Sequence, residues 1–284
     1  MPGAKGGMVP SLPETLPAPK KGGLATRIVS SVLMLPPMVA AIWLGGPLFA
    51  MLIVAMAAVL IWEWHGLLAR DLKTPSLVAI GGTAVLVAAS AWNGLFAIGF
   101  FGLAAVVAAL VAGKRGGLDL ALLGFGPIYV GLPAVALVML RTDFGFGATL
   151  WVFMLVWATD IGAYAFGRTI GGPKLMPRVS PNKTWAGLLG GMICAAAVGI
   201  AGVGVADLAG APWPILALLG AALAVVAQVG DLFESAIKRR VGAKDSSRLI
   251  PGHGGVLDRV DGVLTAAPAA FAVLMSLRAM GALV

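Results

Sequence analysis

The sequence predicts an all-α integral membrane protein, a polytopic bundle of about nine transmembrane helices with a cytoplasm-facing polar cavity. Three observations lead there. Apolar residues make up 60% of the chain and charged residues 11%, with a mean hydropathy of +0.98, outside the range of soluble domains. The apolar residues come in runs of about 20, the length that crosses a bilayer core as a helix. Cations gather in alternate connections between those runs, the bias that fixes orientation in a membrane.

Residues 1–24, rich in Pro, Gly and Lys, read as a disordered basic tail. Residues 25–284 read as one polytopic domain, because the connections inside it are too short to fold separately. The first apolar run is too long for a signal-peptide core and has no cleavage site before the next one. The nine runs are 26–44, 47–68, 75–92, 94–112, 118–140, 147–167, 184–206, 213–237 and 262–282. With the tail and its Lys5, Lys20, Lys21 and Arg27 in the cytoplasm, the cytoplasmic connections hold Arg70 with Lys73, then Lys114 with Arg115. The later ones hold Arg168, Lys174, Arg178 and Lys183, then Lys238 through Arg259. The opposite connections hold Gly45-Gly46, Asn93, Arg141 with Asp143, and Asp207. A multi-pass protein of a bacterial-type inner or plasma membrane is expected, with its N-terminus inside. The net charge of +8 then describes one face, set against anionic headgroups, and calls for no nucleic-acid partner.

Cys194 stands alone inside an apolar run, which excludes a disulfide framework or a thiolate metal site and leaves a small packing residue. Gly187 and Gly191 fit the small-xxx-small pattern of close helix contacts. The chain shows no internal repeat and no matching pair of interrupted helices of the transporter kind.

Polar residues within the runs point to chemistry, since charge beside hydrocarbon is costly. In the run 213–237, Gln228, Asp231, Glu234, Ser235 and Lys238 follow i, i+3, i+4 spacing and share one helix face. Asp231 precedes Lys238 by seven residues, or about 10 Å along the axis, just below the headgroups. The plainer alternative is an internal Glu234–Lys238 pair with Asp231 reaching back to water. Asp160 precedes Gly167 by seven residues and lies at nearly the same depth on another helix, with Tyr164 one turn on. Two acids at one depth point to a shared polar cavity; a single structural acid paired with Arg168 is the plainer reading. Ser180 and Asn182 are cap-type residues ahead of the run that starts at Thr184, and with Lys183 they offer a helix N-terminus suited to an anion. A capped start with Trp185 and Lys183 at the headgroups is the alternative.

The connection 238–261 is the densest in charge. Carboxylates suit a hard divalent cation, Lys and Arg suit phosphoryl oxygens, and glycines admit backbone close to a ligand. Asp258 and Asp261 are three apart and directly precede the last run, and either is suited to join Asp231 around Mg²⁺. His253 lacks a second His or Cys at metal spacing, which argues against zinc and for a phosphate contact or a loop-fixing hydrogen bond. His65, in Trp62-Glu63-Trp64-His65, reads as an interfacial residue without chemistry.

Together these residues resemble the phosphatidate cytidylyltransferases, also called CDP-diacylglycerol synthases. Lys238-Arg239, Lys244-Asp245, His253-Gly-Gly, Asp258-Arg259 and Asp261 are similar to that family's signature in type and spacing. Gly230-Asp231-Leu-Phe-Glu234-Ser235, Ala158-Thr159-Asp160-Ile-Gly-Ala-Tyr164 and Ser180-Pro-Asn-Lys183-Thr184-Trp185 resemble it too, so the likeness is close over about 150–262. Ser247 and Arg248 stand where the family pattern has Gly and His, so that loop is expected to meet substrate differently.

The resemblance implies a divalent-metal-dependent nucleotidyltransferase of phospholipid biosynthesis. Such an enzyme moves the cytidylyl group of CTP to phosphatidate, yielding CDP-diacylglycerol and pyrophosphate, at an active site on the cytoplasmic side. It implies Mg²⁺, with Mn²⁺ as an alternative ion and a second cation site, and a homodimer. On this basis Asp231 and Asp258 are the metal ligands, with Asp261 and Asp160 as an outer shell or the second cation site. Lys238 joins them in catalysis. Lys183, Ser180, Arg239, Lys244, Asp245, His253 and Arg259 are carried over as substrate-binding residues. Two other readings stay open: a related CTP-dependent membrane enzyme acting on another lipid phosphate or a lipid alcohol, and a transporter. The transporter would set its ionisable groups near the bilayer midplane.

Overall fold

The computed structural model describes residues 36–68, 80–85, 87, 117–206, 208, 210–250 and 254–283. Six helices within them are long and apolar enough to cross a membrane. They are α1 (Gly46–Leu68), α2 (Gly117–Asp143), α3 (Gly145–Thr169), α4 (Trp185–Val205), α5 (Trp213–Arg240) and α6 (Leu257–Ala279). Each overlaps one of the predicted runs. Residues 36–44 and 80–85 are helical as well and fall in two further predicted runs. The run 94–112, the basic tail, Arg70, Lys73, Lys114, Arg115 and His253 lie outside the described residues.

Small residues set how closely the helices approach. α3 packs on α4, α4 on α5, α5 on α6, α1 on α2, and α2 on α6. At the α3–α4 crossing, a Cβ on Gly187 would lie 2.8 Å from the Ala163 carbonyl oxygen. One on Gly191 would lie 2.9 Å from that of Thr159, and one on Gly162 would lie 2.8 Å from Cys194 Sγ. The Gly187/Gly191 pair therefore sits in a real helix contact, and Cys194 is a packing residue within it. Between α4 and α5 the same device recurs, with Gly220 against the Ala195 carbonyl and Gly199 against that of Leu216. Buried indoles close the gaps: Trp64 Nε1 donates to the Leu122 carbonyl and Trp151 Nε1 to that of Val198, each at 2.9 Å. Trp64, Phe125, Tyr129 and Phe233 form one aromatic cluster joining α1, α2 and α5, with Trp64 and Tyr129 each 5.2 Å or more from their ring neighbours. Phe233 lies between Asp231 and Glu234 in sequence, so this cluster fixes the rotation of α5 and hence of its polar face.

Two segments differ from expectation. Ser180 and Asn182 do not cap a helix: they belong to strand β2 (Ser180–Thr184), antiparallel to β1 (Lys174–Met176). Thr184 is the N-cap of α4, its hydroxyl accepting from the Gly187 N–H at 3.0 Å. Gly171 and Gly172, at φ +67° and +88°, turn the chain out of α3 into this hairpin. The last helix begins at Leu257, five residues ahead of the predicted start, so Asp258 and Asp261 stand in its first two turns and not in a loop before it. Polar residues had disguised that start, and acceptors elsewhere in the bundle stabilise it.

Candidate functional site

The C-terminal ends of α1, α3 and α5 meet the N-terminal ends of α4 and α6 at one end of the bundle, and the charged residues gather there in two groups. The first surrounds a pocket of about 220 Å³ lined by Asp160, Tyr164, Asn182, Lys183, Thr184, Gln228 and Asp231, among others. Lys183 Nζ lies 2.5 Å from Asp231 Oδ2, and Ser235 Oγ donates to Asp231 Oδ1 at 3.2 Å. β2 carries Lys183 to this place: the strand leaves it just ahead of the Thr184 cap, opposite α5. Asp160 faces the same pocket from α3 and does not pair with Arg168. That guanidinium donates instead to the Tyr164 hydroxyl, at 2.6 Å.

The second group lies about 10 Å further along α5. Lys238 is 7% exposed and bridges two acids, Asp258 Oδ1 at 2.5 Å and Glu234 Oε1 at 3.0 Å. Both the internal Glu234–Lys238 pair and an interhelical Lys238–Asp258 pair are thus present. Asp258 Oδ2 accepts from the Ser246 N–H and the Gly255 N–H, each at 2.8 Å, and from Ser246 Oγ at 3.0 Å. Four donors therefore engage this one carboxylate. A charge so buried is tolerable only because it is paired and hydrogen-bonded on both oxygens.

Asp261 links the groups. α5 and α6 cross at Gly230, where a Cβ would lie 2.8 Å from the Asp261 carbonyl oxygen, so Asp261 sits beside Asp231. Its Oδ1 accepts from the Gly262 N–H at 2.8 Å. Among the described residues no three His, Cys, Asp or Glu side chains converge at metal-holding distance. Two carboxylates suffice for Mg²⁺ when phosphates complete its shell. On donor chemistry Asp231 and Asp160, at the pocket, fit a hard divalent ion best. Asp258, engaged by Lys238, Ser246 and Gly255, fits less well.

The remaining sequence candidates take different places. Arg239 braces the hairpin to the end of α5, donating to the Val179 carbonyl at 3.4 Å and to the Ala243 carbonyl at 3.0 Å. Lys244, Asp245 and Arg259 are exposed at the same end. Ser180 pairs with Met176 in the hairpin and is not among the pocket-lining residues. Sequence reasoning passed over Glu63. It is 2% exposed and accepts from Ser247 Oγ and the Val256 and Leu257 N–H groups, with Ser246 Oγ 3.4 Å from it, and its neighbour His65, expected at the interface, is 5% exposed. The signal was available, since an acid in an apolar run carries the same weight at Glu63 as at Asp160.

A membrane bundle with acids and lysines converging at one end suits the membrane-embedded enzymes of phosphoryl or nucleotidyl transfer, and comparison with known proteins gives the family. The chain belongs to the cytidylyltransferase family, whose profile matches residues 25–277. A phosphatidate cytidylyltransferase of Brucella suis is 42% identical over 256 residues, covering 86% of this chain and 90% of that protein. One from Staphylococcus epidermidis is 39% identical over 176 residues, 62% of this chain and 66% of its own length. One from Staphylococcus haemolyticus is 44% identical over 140 residues, 49% of this chain and 53% of its own.

Proposed function

We propose that this protein transfers the cytidylyl group of CTP to phosphatidate. The observation that carries the reading is 42% identity to a phosphatidate cytidylyltransferase across 86% of the chain. In the reaction a phosphatidate oxygen bonds to the α-phosphorus of CTP as that phosphorus loses its bridging oxygen to the β-phosphate. Pyrophosphate leaves and CDP-diacylglycerol stays in the bilayer. The nucleophile is already anionic near neutral pH, so the protein's work is positioning and charge neutralisation. Lys183, Lys244 and Arg259 would hold phosphoryl groups, Lys238 would fix Asp258, and Asp231 with Asp160, and Asp258 to a lesser degree, would hold Mg²⁺. When bound, that ion neutralises charge on the phosphoryl oxygens. Asp261 keeps the outer-shell role beside Asp231. The reading places the site at the cytoplasmic face of about nine spans, where a water-soluble nucleotide and a membrane-held lipid meet, and the bundle acts as a homodimer.

An acceptor panel tests the proposal. Detergent-purified protein with CTP and Mg²⁺ is offered phosphatidate, another lipid phosphate and diacylglycerol in parallel. Pyrophosphate release with phosphatidate alone is expected. Release with a different lipid phosphate only, or nucleoside diphosphate formation with the alcohol, would replace the proposed acceptor or the reaction.

A further inference from the structure

We infer that Glu63, on α1, is a positioning residue that holds Ser246, Ser247 and the residues 255–257 that open α6 and, through them, the Asp258–Lys238 pair; the inference rests on the functional reading above. Among the described residues, the hydrogen bonds Glu63 accepts come from this region. Ser247 Oγ donates to Oε1 at 2.5 Å and the Val256 N–H to Oε1 at 2.9 Å. The Leu257 N–H donates to Oε2 at 2.7 Å, and Ser246 Oγ approaches Oε2 at 3.4 Å. These partners lie 183 to 194 residues away in sequence. Two of them are the free N–H groups at the start of α6, where Val256 has no cap of its own. A carboxylate at a helix N-terminus satisfies those donors and complements the helix dipole, and here it is lent by another helix.

The effect reaches the site through short links. The Ser246 hydroxyl lies between Glu63 Oε2 and Asp258 Oδ2 and has one proton to give. The Gly255 N–H, one residue before Val256, donates to Asp258 Oδ2, whose other oxygen holds Lys238. Gly255 shows how tightly this is packed: a Cβ there would lie 2.7 Å from Glu63 Oε1 and would also strike Ser246 Oγ. Ser247 gains a role too. Its hydroxyl donates to Glu63 Oε1 and accepts from the Leu249 N–H at 3.1 Å, which ties the chain after Ser247 to the same anchor.

The test pairs amide hydrogen exchange on the full chain in nanodiscs with steady-state kinetics, for wild type and Glu63→Gln. Exchange is expected to accelerate at least tenfold at 246–258 while α3 and α4 are unchanged, because buried amides lose a charged acceptor. Turnover is expected to fall at least tenfold, and Glu63→Asp, which keeps the charge, is expected to recover part of both. Unchanged exchange at 246–258 would overturn the inference, as would accelerated exchange with unchanged kcat and KM. If Glu63→Gln loosens every helix, Ser247→Ala replaces it; local acceleration with a reduced kcat supports the inference, and neither change overturns it. A wild type that turns over no lipid acceptor would sink the functional reading, while the exchange arm would still decide the anchorage.

Discussion

Replacing Lys238 with Met tests how this buried charge network is held together. Lys238 contacts Glu234 at 3.0 Å and Asp258 at 2.5 Å, and the two acids have side chains 0% and 5% exposed. Met preserves the bulk of the stem but removes the cation, leaving two carboxylates facing one another in a region sheltered from water. Breaking a buried pair by deleting one partner costs about 3–5 kcal/mol, a large part of a typical total of about 5–15 kcal/mol. Asp258 keeps three other donors, so most of the penalty falls on Glu234, for which Lys238 is the paired cation. Adding Glu234→Gln to Lys238→Met is therefore expected to return about 1–3 kcal/mol, the coupling typical of contacting residues. Reversible unfolding in mixed micelles, followed by tryptophan fluorescence, measures all four corners of the cycle. A Lys238→Met protein within about 0.5 kcal/mol of wild type, the range of a neutral surface change, would refute the network as described. So would a double variant less stable than the single one.

Three further outcomes follow from named contacts. Asp231→Asn should lower turnover by at least about 100-fold while the protein stays folded, because it removes a pocket charge and the partner of Lys183; near-wild-type rates at limiting Mg²⁺ would count against the metal assignment. Gly191→Val should destabilise the bundle by about 1–3 kcal/mol or more, since even a Cβ there lies 2.9 Å from the Thr159 carbonyl oxygen; thermal unfolding in detergent reads this, and an unchanged midpoint would contradict the close crossing. Thr184→Ala should cost about 1 kcal/mol through the lost cap of α4, with a larger loss in CTP affinity than in stability if the cap also places Lys183.

The legible part of the fold was the part written in local pattern. Six described helices coincide with apolar runs because a bilayer demands unbroken stretches of that length, and their polar ends could be read by spacing. Asp160 and Asp231 could be set at equal depth by counting residues from their helix ends, and both line one pocket. What stayed hidden depends on partners distant in the chain. The start of α6 at Leu257 looked like loop because its capping acid, Glu63, lies on α1. Thr184 was passed over as a cap because Ser180 and Asn182 are equally good cap types, and only the pairing of β2 with β1 removes them from the helix. The engagement of Asp258 by four donors was invisible for the same reason: three of those donors belong to a loop with no periodicity of its own.

Cytidylyl transfer is tested most directly by following two labels. Purified protein is given phosphatidate and CTP labelled either at the α-phosphorus or at the γ-phosphorus, and the lipid and aqueous phases are counted. The account predicts α-label in the lipid and γ-label in pyrophosphate, in equal amounts. γ-Label in the lipid would mean phosphoryl transfer in place of nucleotidyl transfer and would contradict it.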